Sequence, residues 1–199
     1  MRIIRIIDRP VYVPGDDINT DRIIPARFML CITFDGLHKN LFADDREQMK
    51  GAHPLDQPDN QGSGILVVDS NFGCGSSREH AVFAIKQWGI RAVVGRSFAD
   101  IFRGNMTTNG VPCVEVDEQV HAFILEQMRR GAVALNLDLG PMKLSVQITP
   151  DHESHQMDIT MPEADRANLV IGKWDPIPIM MEAGVSIEEK EASLPYLQA

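Results

Sequence analysis

The sequence predicts an α/β protein built on a parallel βαβ unit. A short apolar run at residues 65–68 is followed by a glycine loop and by an amphipathic segment that ends at Trp88. After Gly89 a second apolar run covers residues 90–95. Because a strand, a helix and a strand in this order usually place the two strands side by side and parallel, we expect these runs to be neighbours in one sheet.

The N-terminal third is predicted to hold little regular structure. Two short strand candidates within residues 3–14 are interrupted at residues 8–10, and residues 14–17 form a turn. Asn19, Thr20 and Asp21 follow, and such residues usually cap or turn their own backbone. Residues 27–59 are irregular and rich in Gly and Pro. A connection of this length in a compact domain is usually functional or mobile.

The remaining elements follow from apolar periodicity. We expect a helix at 100–108, a strand at 111–116, a helix at 117–130 and a hairpin of strands 144–149 and 157–161 around residues 151–155. His152 and His155 have metal-like spacing, but a turn without other ligands favours a solvated loop. We expect one domain over residues 1–199, with about 165–199 as a C-terminal extension that packs on it or on a partner.

Composition and charge exclude several classes of protein. The 199 residues are 44% hydrophobic and 24% charged, with a formal net charge of -9, which argues against nucleic acid as a general partner. The apolar N-terminal run is interrupted by Arg2 and Arg5 and lacks a cleavage-type sequence. It therefore predicts neither a signal peptide nor a membrane span, and we expect a cytoplasmic protein without membrane contact.

Residues 71–80, the signature segment, carry the chemistry. Gly73 and Gly75 flank Cys74 and permit positive φ, so that backbone amides can converge on an anion in front of a helix start. Arg78 can hold a carboxylate through two parallel hydrogen bonds. The alternative without function is a capping box, since Ser76 and Glu79 have the required spacing. Capping alone requires neither the glycine pair nor the arginine.

The signature segment, Asn-Phe-Gly-Cys-Gly-Ser-Ser-Arg-Glu-His, resembles that of the swivelling domain of the aconitase superfamily, and closely that of the small subunits of two-part isopropylmalate isomerases. Two further blocks of this family are resembled in the same order: residues 17–26, and residues 97–102 together with Asn105, Asn109 and Pro112. The resemblance extends over residues 12–116. It implies an aconitase-type swivelling domain, layered β/β/α around the parallel βαβ core.

The resemblance also implies an activity, that of a hydro-lyase subunit which moves a hydroxyl between adjacent carbons of a malate-type acid in leucine biosynthesis. In such a subunit Ser76 is the base that takes a proton from carbon. The substrate, a small dicarboxylic hydroxy acid, would be bound by the neighbouring residues Gly75, Ser77 and Arg78 and by the opposite wall of Asn19, Thr20 and Asp21.

The resemblance assigns substrate selection to a loop that contains Arg27, Leu30, Cys31 and Thr33. Isopropylmalate enzymes commonly have a lysine or arginine near positions 30 and 31, whereas this chain has Leu30 and Cys31. A more apolar wall should prefer an apolar substituent to a third carboxylate. Homoaconitate, methylmalate and dimethylmalate hydro-lyases stay open as alternatives. A stand-alone carboxylate-binding module is the alternative outside the enzymes.

The cysteines do not predict a metal site in this chain. Cys31, Cys74 and Cys113 are 43 and 39 residues apart and include no Cys-x-x-Cys pair. The resemblance places the expected [4Fe–4S] cluster in a large subunit, which would be the partner of this chain. We therefore expect the isolated chain to be inactive, and its self-association stays open.

Overall fold

The computed structural model describes residues 1–29, 34, 36–131, 133–148, 153–175, 177 and 180. The strands are β1 (Arg5–Asp8), β2 (Pro10–Tyr12), β3 (Ile65–Val67), β4 (Ala92–Gly95), β5 (Cys113–Glu115), β6 (Val133–Asp138), β7 (Lys143–Ile148) and β8 (Glu153–Asp158). The helices are α1 (Thr20–Ile23), α2 (Ala43–Met49), α3 (Glu79–Trp88), α4 (Asp100–Thr108), α5 (Glu118–Arg130) and α6 (Glu163–Ile171). Within this part of the chain, no helix is long and apolar enough to cross a bilayer.

The strands form two sheets of four. One is parallel, in the order β2-β3-β4-β5, and the other is antiparallel, in the order β1-β6-β7-β8. In the parallel sheet Leu66 lies opposite Val93, so β3, α3 and β4 form the predicted βαβ unit. Only Arg9 separates β1 from β2, yet the two strands belong to different sheets. The chain therefore changes layers at the predicted break.

The two faces of the parallel sheet pack against different layers. Leu66, Val93 and Cys113 join a buried cluster with the apolar side of α3. Their neighbours Ile65 and Val67 point to the opposite face, where they join a second cluster that includes residues of the antiparallel sheet and of α5. This alternation follows from the two-residue repeat of a strand, because both faces are covered. The predicted β/β/α layering is confirmed.

The start of α3 differs from the one that the capping-box alternative requires. The helix begins at Glu79 with Arg78 as its N-cap, and no side chain caps it. Ser76 and Ser77 precede the helix, so the capping-box interpretation is wrong. Gly75 has a φ of +92°, and Arg78 is extended with a φ of -126°. Three residues, Ser76, Ser77 and Arg78, therefore lie between the last glycine and the first residue of the helix.

Four elements were missed and one boundary was misplaced. Helices α1 and α2 lie in the third of the chain that was expected to hold little regular structure, with α2 inside the stretch 27–59. Neither β6 nor α6 was predicted, although the alternation of residues 133–138 is visible in the sequence. The predicted hairpin exists, but its second strand begins at Glu153, because Ile148 pairs with Glu153. Residues 149–152, with His152, lie outside the described residues. So do Leu30, Cys31 and Thr33 of the selecting loop and most of residues 176–199, so the single-domain division stays a prediction.

Candidate active site

Three loops meet beyond the carboxyl ends of the parallel strands. The amide of Gly73 donates to the carbonyl oxygen of Ile18 at 2.8 Å, and the amide of Thr20 donates to that of Cys74 at 2.9 Å. Next to these, the amide of Phe72 donates to the carbonyl oxygen of Ser97 at 3.1 Å. These bonds join the loop after β2, the signature segment and the loop after β4 side by side. The expectation that residues 19–21 face the signature segment is confirmed.

The two glycines of the signature segment have the predicted positive φ, +78° for Gly73 and +92° for Gly75. Gly73 also requires space. A Cβ atom at this position would lie 2.1 Å from Cγ of Phe102 on α4, and real Cβ atoms are essentially never that close to another atom. The absence of a side chain therefore lets the signature segment pack directly on α4.

A cleft of about 270 Å³ opens between the signature segment and the start of α4. Ser76 and Ser77 are exposed at this cleft, on the open loop that precedes α3. The residues that line the cleft are Thr20, Gly73, Gly75, Ser76, Ser77, Arg78, Ala99, Asp100, Ile101, Phe102 and Asn105. Four of the predicted site residues, Gly75, Ser76, Ser77 and Arg78, are thus brought together with Thr20.

Arg78 reaches across the cleft wall to Asp21. Its guanidinium Nη1 forms an ion pair with Oδ1 of Asp21, and the two side chains are 12% and 57% exposed. The hydrogen bond from Arg78 holds the pKa of the Asp21 carboxyl below its usual range. The guanidinium of an arginine is a planar fork that fits a carboxylate, and here one of its nitrogens is paired with the carboxylate of Asp21.

Asn19 and Thr20 hold the backbone of the site. Oδ1 of Asn19 accepts a hydrogen bond from the amide of Arg22 at 2.9 Å and so caps α1. The hydroxyl of Thr20, which is 2% exposed, donates to the carbonyl oxygen of Ser76 at 2.8 Å. Both side chains therefore serve the backbone in this structure, and that of Thr20 fixes the loop that carries Ser76.

Comparison with known proteins places the chain in a family. Residues 14–119 match the aconitase C-terminal domain family. The 3-isopropylmalate dehydratase small subunit of Synechocystis sp. is 43% identical over 184 residues, which cover 92% of this chain and 89% of that protein. The corresponding subunit of Thermus thermophilus is 40% identical over 191 residues, covering 94% and 92%. The chain belongs to the family of 3-isopropylmalate dehydratase small subunits.

A solved structure agrees with this assignment at the level of the fold. The 3-isopropylmalate dehydratase LeuD of Methanocaldococcus jannaschii superposes with a TM-score of 0.67 over 94% of this chain and 99% of that one, at 24% identity. A likeness at this identity supports the aconitase-type architecture.

Arg27 lies apart from the cleft in this member of the small-subunit family. Its guanidinium pairs with the carboxylate of Asp44 and lies 4.6 Å from the ring centroid of Phe28. The hydrogen bond that Arg27 donates to the carboxylate of Asp44 raises the pKa of Arg27. Arg27 is not among the residues that line the cleft. Its predicted part in substrate selection stays a prediction.

Sequence reasoning missed the contribution of α4 to the site. Asp100, Ile101, Phe102 and Asn105 all line the cleft, and Nδ2 of Asn105 lies 3.4 Å from Oγ of Ser77. The signal was present, because residues 97–102 and Asn105 formed the third block of the family resemblance. In a parallel sheet the loops after adjacent strands β3 and β4 lie at the same edge, which would have placed this block beside the signature segment.

Two of the three cysteines lie in the described part of this small-subunit family member. Sγ of Cys74 is half-buried and lies 3.4 Å from the carbonyl oxygen of Asp17. Cys113 is buried in the sheet, and burial raises the pKa of its thiol. Among the described residues, no group of three or more His, Cys, Asp and Glu side chains is placed to hold a metal ion.

Proposed function

We propose that this chain is the small subunit of a two-subunit 3-isopropylmalate dehydratase, which interconverts 2- and 3-isopropylmalate by dehydration and rehydration in the cytoplasm. One observation carries the proposal: the chain belongs to this family, and its Ser76-Ser77-Arg78 run lines a cleft of about 270 Å³. Isopropylmalate is a small dicarboxylic hydroxy acid, so the site must bind carboxylates and move a proton from carbon.

Ser76 is the proposed base. A serine hydroxyl is a weak acid, so its ionised form must be stabilised by its surroundings. Its loop follows two glycines with positive φ, a geometry that turns backbone amides toward one side. The guanidinium of Arg78 lies two residues further on, and the start of α4 also faces the cleft. Arg78 and the start of α4 would favour an oxyanion at this place, and the nearby carboxylates of Asp21 and Asp100 reduce this effect.

Arg78 is the proposed carboxylate-binding residue. In the free chain its guanidinium is paired with Asp21, which is more than half exposed. A substrate carboxylate would replace that of Asp21 or share the fork with it, since Arg has several donors in one plane. Ser77 and the amide of Gly75 would bind a further substrate oxygen. Thr20 and Asn19 would act indirectly by holding the loop and α1.

An iron–sulfur cluster of the large subunit would supply the Lewis acid that takes the leaving hydroxyl. The described part of this chain does not offer a ligand set for such a cluster. Of its two described cysteines, Cys113 is buried with a raised thiol pKa. In this proposal the chain contributes binding, orientation and proton transfer.

The test of the proposal is reconstitution. The purified chain alone should have no hydro-lyase activity, and addition of its large subunit under anaerobic conditions should give turnover of 3-isopropylmalate. Homoaconitate, methylmalate and dimethylmalate should be poorer substrates by kcat/KM. Full activity of the chain alone would refute the two-subunit arrangement, and preference for one of the other acids would reassign the substrate. Carboxylate binding without turnover in the reconstituted pair would favour a binding module.

Ser76→Ala tests the role of the base in the same assay. Because Ser76 lies ahead of α3 and does not cap it, the variant should keep the melting temperature of the wild type. It should lose at least about two orders of magnitude in kcat, the lower range of what a positioned base contributes. Ser70→Ala, in the same loop but outside the cleft, is the matched control and should keep its turnover. Near-normal turnover of Ser76→Ala would exclude Ser76 as the base.

A further inference from the structure

Asn105 lies in the cleft on the inner side of α4, across from the signature segment. Its Nδ2 atom is 3.4 Å from Oγ of Ser77, and both residues line the cleft. The contact joins two elements that are 28 positions apart in the sequence. At 3.4 Å this hydrogen bond is long, and hydrogen bonds in active sites often shorten when substrate binds.

The backbone of Asn105 is held in place by the packing of α4. Phe102 and Met106, on the same helix, are both buried, and Phe102 packs against Gly73 and Phe72 of the signature segment. The carbonyl oxygen of Asn105 accepts hydrogen bonds from Oγ1 of Thr108 at 3.0 Å and from Nδ2 of Asn109 at 2.9 Å. The position of this residue relative to the signature segment is therefore fixed by core packing.

The direction of the hydrogen bond decides what Ser77 can do. An amide NH₂ group only donates, so the oxygen of Ser77 accepts in this contact. A hydroxyl that accepts from one side keeps its own proton for another acceptor. In the cleft that acceptor would be a substrate oxygen. Without Asn105 the hydroxyl can rotate freely and lose this orientation.

We propose that Asn105 is a positioning residue that fixes the Ser77 hydroxyl as a hydrogen-bond donor to the substrate. The inference rests on the proposed function, and it adds a residue on α4 to a site that the sequence assigned to the signature segment and the loop of residues 19–21. Asn105 acts through Ser77 and need not touch the substrate itself.

A double-mutant cycle in the reconstituted enzyme tests the proposal. Asn105→Ala should lower kcat/KM for 3-isopropylmalate about 3- to 10-fold, the worth of one neutral hydrogen bond. Ser77→Ala should also lower kcat/KM, because it removes the hydroxyl that binds the substrate. If Asn105 acts through Ser77, the double variant should be no slower than Ser77→Ala alone. Losses that multiply would overturn the proposal, as would an Asn105→Ala variant with wild-type kinetics.

Asn105→Asp supplies a readout that a purely structural role would not move. The shape is kept, but an ionised carboxylate accepts the Ser77 proton instead of donating, and it repels the substrate carboxylates. We expect a loss of about 10- to 100-fold near neutral pH. Because a protonated carboxyl can donate again, the ratio of variant to wild-type kcat should rise as the pH falls toward the pKa of the new carboxyl.

Asn168→Asp is the matched control, since it makes the same change at an exposed position of α6 outside the cleft. The ratio of its kcat to that of the wild type should stay near one at every pH. Two results would assign Asn105 a structural role. One is a loss of kcat in Asn105→Asp that does not change with pH. The other is a loss of activity in both Asn105 variants that is accompanied by a matching loss of thermal stability. Absence of turnover in the wild-type complex would instead refute the proposed function, so the two failures are distinguishable.

Discussion

Gly73→Ala should be among the most destabilising small substitutions in this chain, because it combines two independent costs. The φ of +78° disfavours any residue with a Cβ atom by about 1–2 kcal/mol. The added Cβ would also lie 2.1 Å from Cγ and 2.5 Å from Cδ1 of Phe102. Phe102 is buried and packs edge-on against Phe72 with ring centroids 5.3 Å apart, so it has little room to retreat.

Overpacking of a well-filled core typically costs about 1–3 kcal/mol. Together with the backbone cost, the free energy of unfolding of Gly73→Ala should fall by about 2–5 kcal/mol. Gly51→Ala separates the two costs, since Gly51 has a φ of +88° but no atom within 4 Å of the position that an added methyl group would occupy. The free energy of unfolding of this control should fall only by the backbone cost of about 1–2 kcal/mol.

Urea unfolding of the wild type and both variants, followed by circular dichroism, measures the difference. The steric cost is the free energy of unfolding of Gly51→Ala minus that of Gly73→Ala, each taken relative to the wild type. Equal losses in the two variants would refute the close approach of the signature segment to α4. A larger loss for Gly51→Ala would also refute the assignment of the steric cost to Phe102.

Two further predictions concern the surroundings of the site. Thr20→Val removes the hydrogen bond to the carbonyl oxygen of Ser76 and should lower the free energy of unfolding, measured by urea titration, by about 0.5–1.5 kcal/mol. Thr20→Ser keeps the hydroxyl and should retain most of the wild-type stability. A Thr20→Val variant as stable as the wild type would contradict the contact. Burial, together with the hydrogen bond to Asp69, raises the pKa of Tyr12 to about 12. Because the raised pKa favours the neutral phenol in the folded state, this contribution to stability is complete below the unfolded value near 10 and is lost as the pH rises toward about 12. In a Tyr196→Phe background the phenolate absorbance should therefore titrate near pH 12, and Asp69→Asn should lower the midpoint; titration near pH 10 in the folded protein would contradict the burial.

The sequence alone determined the βαβ core and the family. Apolar runs at 65–68 and 90–95 around an amphipathic segment predict parallel neighbours, because each of these signals is local and each strand must be covered on both faces. The signature segment likewise predicts the candidate site, since glycines with positive φ followed by Ser76, Ser77 and Arg78 form a specific local pattern. The same kind of signal was present for β6 in residues 133–138 and for α4 at the cleft, but neither was used.

Only the tertiary structure decided where α3 begins and which side chains meet. Ser76 and Glu79 carry a local capping signal, yet Thr20 binds the backbone carbonyl of Ser76 and draws the loop toward α1 instead. The partners of Arg78 and Ser77 are Asp21, which is 57 positions away, and Asn105, which is 28 positions away. Such contacts depend on how the loops after adjacent parallel strands converge. Local propensity cannot specify them, because the energy that selects them comes from packing and hydrogen bonds between distant segments.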